Sequence, residues 1–132
     1  MDGDYNMKVM ECGPKDVVWI GRAIRVFITS RLEDRTFFMV TAPHGTAPFG
    51  IDRVVMTSPA GGGRASHVFS LYPGEAFGIG VATVRLEDCE PRTDGVSLLR
   101  DRLLYIDVPD YVSVVRDASA HRGIAARRRR AQ

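Results

Sequence analysis

From Ile24 onward the chain alternates. Ile24, Val26 and Ile28 fall on one side and Arg25, Phe27 and Thr29 on the other, the period of a strand with one buried face. A short apolar run, Val17-Val18-Trp19-Ile20, precedes it and ends at Gly21. Glu33-Asp34-Arg35 makes a charged turn, and residues 36–41 form a second strand rich in aromatic and β-branched side chains. Two such runs with a short polar link predict a hairpin. Ala42-Pro43 ends it, residues 44–50 read as a loop, and residues 52–56 as another strand. Ser58-Pro59-Ala60-Gly61-Gly62-Gly63 reads as a mobile surface loop. It lacks both the Gly-Lys-Ser/Thr ending and the Gly-x-Gly-x-x-Gly spacing of a phosphate loop.

The second half repeats the style. Residues 67–71 read as a strand, Tyr72-Pro73-Gly74-Glu75 as a turn and residues 76–86 as the next strand. Residues 87–95 are acidic and turn-rich, the expected tip of a long hairpin that returns over residues 98–108. Pro109 ends that strand, since proline cannot donate to a central ladder, and residues 111–116 form the last one. The pattern predicts an all-β chain: an antiparallel β-barrel of about seven or eight short strands over residues 16–116. Residues 1–15 are polar and read as a flexible start. Residues 117–132 read as a basic tail, a short helix or disordered.

A chain of 132 residues with 45% hydrophobic content suits one domain and a core that needs no staples. Charge changes the picture at one end. From Arg116 on there are six arginines and one acid, a net of +5 in a chain of +2, leaving −3 on residues 1–115. An arginine fork grips phosphate in bidentate fashion and stacks on bases. Arg116, Arg122, Arg127, Arg128, Arg129 and Arg130 are therefore the candidate contacts for a phosphate, nucleotide or RNA, with Arg116 fixed by its strand. Cys12 and Cys89 read as two unpaired thiols of a cytoplasmic protein, and no apolar run of 18 residues spans a membrane. His44, His67 and His121 have no partners at ligand spacing, and no nucleophile–base constellation stands out. No catalytic residue, metal or cofactor is expected; the chain reads as a binding module with a protein partner, not an enzyme.

Two sets of motifs resemble known families. Arg35-Thr36-Phe37-Phe38-Met39-Val40-Thr41-Ala42-Pro43, Val68-Phe69-Ser70, Cys89-Glu90-Pro91, Leu104-Tyr105-Ile106-Asp107-Val108-Pro109 and Val114-Val115-Arg116-Asp117-Ala118 are similar, in that order, to the N-terminal, PilZ-associated domain of YcgR-type flagellar brake proteins. That resemblance implies a PilZ-like barrel in the cyclic di-GMP control of flagellar motility. The family grips its nucleotide with Arg-x-x-x-Arg, where this chain has Arg122 and Arg127.

Ile20-Gly21-x-x-Ile24-x-Val26-x-Ile28, then Phe38-x-Val40-x-Ala42-Pro43, resembles the CsrA carbon-storage regulators, RNA-binding proteins of small five-stranded subunits. Gly74-Glu75-x-x-x-Ile79-Gly80 is similar to that family's opening, and Pro109-x-x-Val112-x-Val114-x-Arg116 to its RNA-contacting end. The Ile-Gly pairs stand 59 residues apart, about one subunit, so the resemblance implies a tandem copy forming an intramolecular dimer. The first half has Gly50 where the second has Arg116, and the strand after Gly80 runs one residue out of phase with that after Gly21.

Overall fold

The computed structural model describes residues 5–88 and 102–117. Among these residues ten strands occur: β1 (Tyr5–Cys12), β2 (Val17–Ile20), β3 (Ile24–Arg31), β4 (Thr36–Pro43), β5 (Met56–Gly61), β6 (Arg64–Leu71), β7 (Ala76–Ile79), β8 (Ala82–Asp88), β9 (Arg102–Pro109) and β10 (Val114–Asp117). They make two antiparallel sheets, of order β1-β9-β8-β7 and β10-β2-β3-β4-β6-β5. The chain is all-β, as its alternation implies, but the sheets do not close into a barrel.

Three other expectations need correction. Residues 5–12 are not a loose start: their side chains are mostly exposed, but their backbone pairs with β9 along all eight positions. The ladder, which hydropathy does not see, orders them. The glycine-rich stretch is not a mobile loop. Its first part is β5, paired with β6, and Gly61, Gly62 and Gly63 turn the hairpin with φ of 80°, 62° and 73°. Residues 52–55 are irregular and the strand starts at Met56. The tail from residue 118, with its expected helix, and the hairpin tip from residue 89 lie outside the described residues; Asp117 belongs to β10.

The two sheets are built by the same instructions, used twice. Tyr5 faces Pro109 and Cys12 faces Arg102 in the β1–β9 ladder; Arg64 faces Pro43 and Leu71 faces Thr36 in the β6–β4 ladder. A shift of 59 residues carries β1 onto β6, and one of 66 carries β4 onto β9, with every partner preserved. The hairpins obey the same rule. Val17 faces Phe27 as Ala76 faces Arg85, and Val26 faces Val40 as Val84 faces Ile106. Even the outermost pair recurs: Val115 of β10 faces Trp19 of β2, and Phe49 bridges Gly78 of β7. Residues 5–51 thus form one half and β6 to β10 the other, and each half lends its first strand and its last segment to the other's sheet. β5 has no counterpart among the described residues.

The change of phase after Gly80 is absorbed in a turn. Three residues separate Ile20 from its partner Ile24, but only two separate Ile79 from Ala82. The missing residue shortens the loop and leaves the faces alike, so Val26 and Val84 are both fully buried. Gly21 and Gly80 take the turns at φ of 62° and 58°, a left-handed geometry that side chains resist. Gly78 is needed for a different reason: the Phe49 ring lies 2.2 Å from where a Cβ would stand.

One hydrophobic core fills the space between the sheets. Val18, Ile20, Val26, Ile28, Phe38, Val40, Phe69 and Leu71 come from the larger sheet; Phe77, Ile79, Val84, Leu86, Leu104, Ile106 and Val108 come from the smaller. Phe38, Phe69 and Phe77 meet across it with centroids 4.9–6.0 Å apart.

Candidate functional site

The chain passes from the smaller sheet to the larger between β1 and β2, and back between β6 and β7. Each of these two crossings is closed by a carboxylate; a third, between β9 and β10, returns the chain to the larger sheet. At Gly13-Pro14-Lys15-Asp16 the Gly13 amide donates to Asp16 Oδ2 (2.9 Å) and the Asp16 amide donates to the Gly13 carbonyl (3.1 Å). At Tyr72-Pro73-Gly74-Glu75 the Tyr72 amide donates to Glu75 Oε1 (2.7 Å), and the Glu75 amide to the Tyr72 carbonyl (3.0 Å). Each acid's carbonyl then accepts from the second strand after it, from Ile28 on β3 (3.0 Å) and from Leu86 on β8 (2.9 Å). The 59-residue spacing that relates the Ile-Gly pairs also relates Asp16 to Glu75. It could have pointed to both acids in the sequence.

Each acid holds an arginine. Arg116, the predicted contact, lies on β10 beside Val18 and reaches Asp16 Oδ2 with Nη2 at 3.5 Å. Asp16 is fully buried, whereas 31% of the Arg116 side chain stays open to solvent. The other arginine is Arg53, which sequence reasoning passed over because it sits in irregular chain. Its Nη1 and Nη2 donate to the two Glu75 oxygens at 2.6 and 2.9 Å, and Nη1 also donates to the Ser70 carbonyl at 3.0 Å. Its guanidinium lies 4.8 Å from the centre of the Tyr72 ring. The hydrogen bond from Arg53 holds the Glu75 carboxyl below its usual range and in turn raises Arg53. Arg122, Arg127, Arg128, Arg129 and Arg130 lie outside the described residues, so Arg116 alone of the predicted contacts is placed.

Cys12 sits behind Asp16. Burial, then the Asp16 charge, pushes its thiol up to about 12, so it stays protonated and inert as a nucleophile. Among the described residues no three His, Cys, Asp or Glu side chains gather as a metal site.

On the outer face of the larger sheet Val115, Trp19, Arg25, Thr41 and Ser66 form one row across five strands. Arg64 lies 5.9 Å from the Trp19 ring, and Arg25 lies 5.0 Å from Phe27. Paired cations and rings of this kind suit stacking on bases as well as solvation.

His67 is buried between β4 and β5. Its Nδ1 bonds the Thr57 hydroxyl at 2.9 Å, while Nε2 has no hydrogen-bond partner. A second proton there would be unsolvated, and burial lowers its pKa below the ordinary 6.5. Below that value the unfolded chain binds a proton that the folded chain refuses, so stability is full above 6.5 and falls as the pH drops below it. We expect the urea midpoint to fall between pH 7.5 and 5.5, and to fall less in His67→Asn, whose Oδ1 still bonds Thr57. Equal losses in both proteins would place the pH sensitivity elsewhere.

No family model, no curated protein and no solved structure matches this chain.

Proposed function

We propose that the chain is an RNA-binding regulator of the CsrA type in which one polypeptide supplies both halves of the usual dimer. The observation that carries this reading is the reciprocal exchange of strands: each half lends its first strand and its last segment to the other's sheet in matching register. Arg116 supports it further, since the resemblance puts an RNA-contacting arginine at the end of the last strand. That strand, β10, is such a lent segment, and the sheet and Asp16 hold Arg116 in place. The chain works by binding, not by catalysis, and acts in the cytoplasm. Among the described residues no helix is long and apolar enough to cross a membrane.

The reading is tested by titrating a labelled RNA hairpin with an unpaired GGA loop at 50 and 200 mM salt. Affinity is expected to fall with salt, because counterions are released from the phosphates. Arg116→Ala is expected to weaken binding about tenfold and to lower the salt slope by roughly one, as loss of a single phosphate contact does. Neutralising Arg127 to Arg130 is expected to reduce the salt-dependent affinity without selecting between sequences. Cyclic di-GMP forms the second arm. Binding of that nucleotide with no RNA binding would move the reading to the PilZ-associated family. Binding of neither would leave a protein-docking module.

A further inference from the structure

Asp16 and Glu75 correspond bond for bond, but the arginines they hold do not. Arg116 is fixed on a paired strand and makes one long contact, 3.5 Å, among the described residues. The 66-residue shift that relates the last segments carries Arg116 back to Gly50, which has no side chain to offer. The cation at Glu75 comes instead from three residues further on. Arg53 commits three N–H groups to protein oxygens and lies over the Tyr72 ring. Beside Gly50 a cavity of about 260 Å³ remains, lined also by Ile51, Arg53 and Glu75, so this position has room, and its guanidinium already spends three of its five N–H groups on the protein.

A phosphate approaching Arg116 competes with a single contact at the edge of hydrogen-bond reach. One approaching Arg53 meets a guanidinium already held in a two-pronged carboxylate pair, whose charge Glu75 offsets at 2.6 and 2.9 Å. The fold is twofold in its ladders and one-sided in its chemistry.

We infer that, of the two related positions, only that of Arg116 grips an anion, so that the chain takes one RNA strand, and that Arg53 with Glu75 is a structural clamp in the place of a second site. The inference rests on the RNA reading above and adds its stoichiometry.

The test is a titration of the full chain with the GGA hairpin at concentrations far above the dissociation constant, read by native mass spectrometry. It is paired with affinities and melting curves for Arg116→Ala, Arg53→Met and Glu75→Gln. The expected break is at one RNA per chain. Arg116→Ala weakens binding about tenfold, while Arg53→Met and Glu75→Gln change affinity by less than about twofold and lower the melting temperature. Glu75→Gln keeps the shape of the turn and serves if Arg53→Met does not fold. A break at two RNAs per chain overturns the inference and leaves the RNA reading standing. So does a loss in folded Arg53→Met equal to that in Arg116→Ala. Absence of RNA binding by the wild-type chain removes both.

Discussion

Phe77→Ala will lower the free energy of unfolding by about 4 kcal/mol, the cost of emptying an aromatic site that cannot collapse. Phe77 is 1% exposed and is the smaller sheet's share of the ring cluster. Phe69 lies edge-on to it at 4.9 Å, and Phe38 at 6.0 Å. The other two rings come from facing positions on β4 and β6, so no backbone element can move in to fill the gap. A domain of this size is stable by roughly 5–15 kcal/mol, and the loss would remove much of it. Phe49→Ala is the control. That ring is 60% exposed, and its removal is expected to cost about 1 kcal/mol or less. Urea unfolding of both variants decides the matter: similar losses would mean that the sheets are not held together through the rings.

Arg102→Met will cost about 3 kcal/mol, at the lower end for a broken buried ion pair. Arg102 is 3% exposed at the start of β9. It donates to Asp88 Oδ1 on β8 (3.1 Å), to the Thr36 hydroxyl on β4 (2.9 Å) and to the Glu33 carbonyl. One guanidinium thus ties the smaller sheet to a hairpin of the larger. Methionine keeps most of the volume but leaves the Thr36 hydroxyl and the Glu33 carbonyl without their donor. Asp88 is partly exposed and can rehydrate, which sets the estimate at the lower end. Arg102→Lys, with its charge kept and its fork lost, is expected to recover part of the difference. A loss below about 1 kcal/mol for Arg102→Met would show that water replaces the network.

Most of the strands could be read from alternation because their inward residues are apolar. Val26 and Ile28 lie at the alternating positions that the sequence marks, and both are buried. β1 could not be read this way. It is an edge strand whose stability comes from main-chain pairing, and Tyr5, Met7 and Val9 all stay about half exposed. β5 was hidden by its glycines, which turn the chain after the strand rather than loosening it. The closure of the sheets was also out of reach, since periodicity fixes which face of a strand is buried and not which strand lies beside it. At the site, Arg116 was visible because it ends an apolar run. Arg53 was not, because its role depends on Glu75, 22 residues away, and on the Tyr72 ring.

The exchange of strands also governs when the chain can become itself. β2 has β3 beside it early, but its other neighbour is β10, so that Ile20 waits for Val114. β1 has no partner at all until β9 exists, with Tyr5 joined to Pro109. On a ribosome the first half would emerge with its opening strand unmatched and one margin of its hairpin bare, and would stay so until β9 and β10 were made. Such distant pairings pay for loop closure before any contact rewards it, which slows folding. β1 and β10 are among the last strands to be secured, and either half alone would lack the strands that complete it.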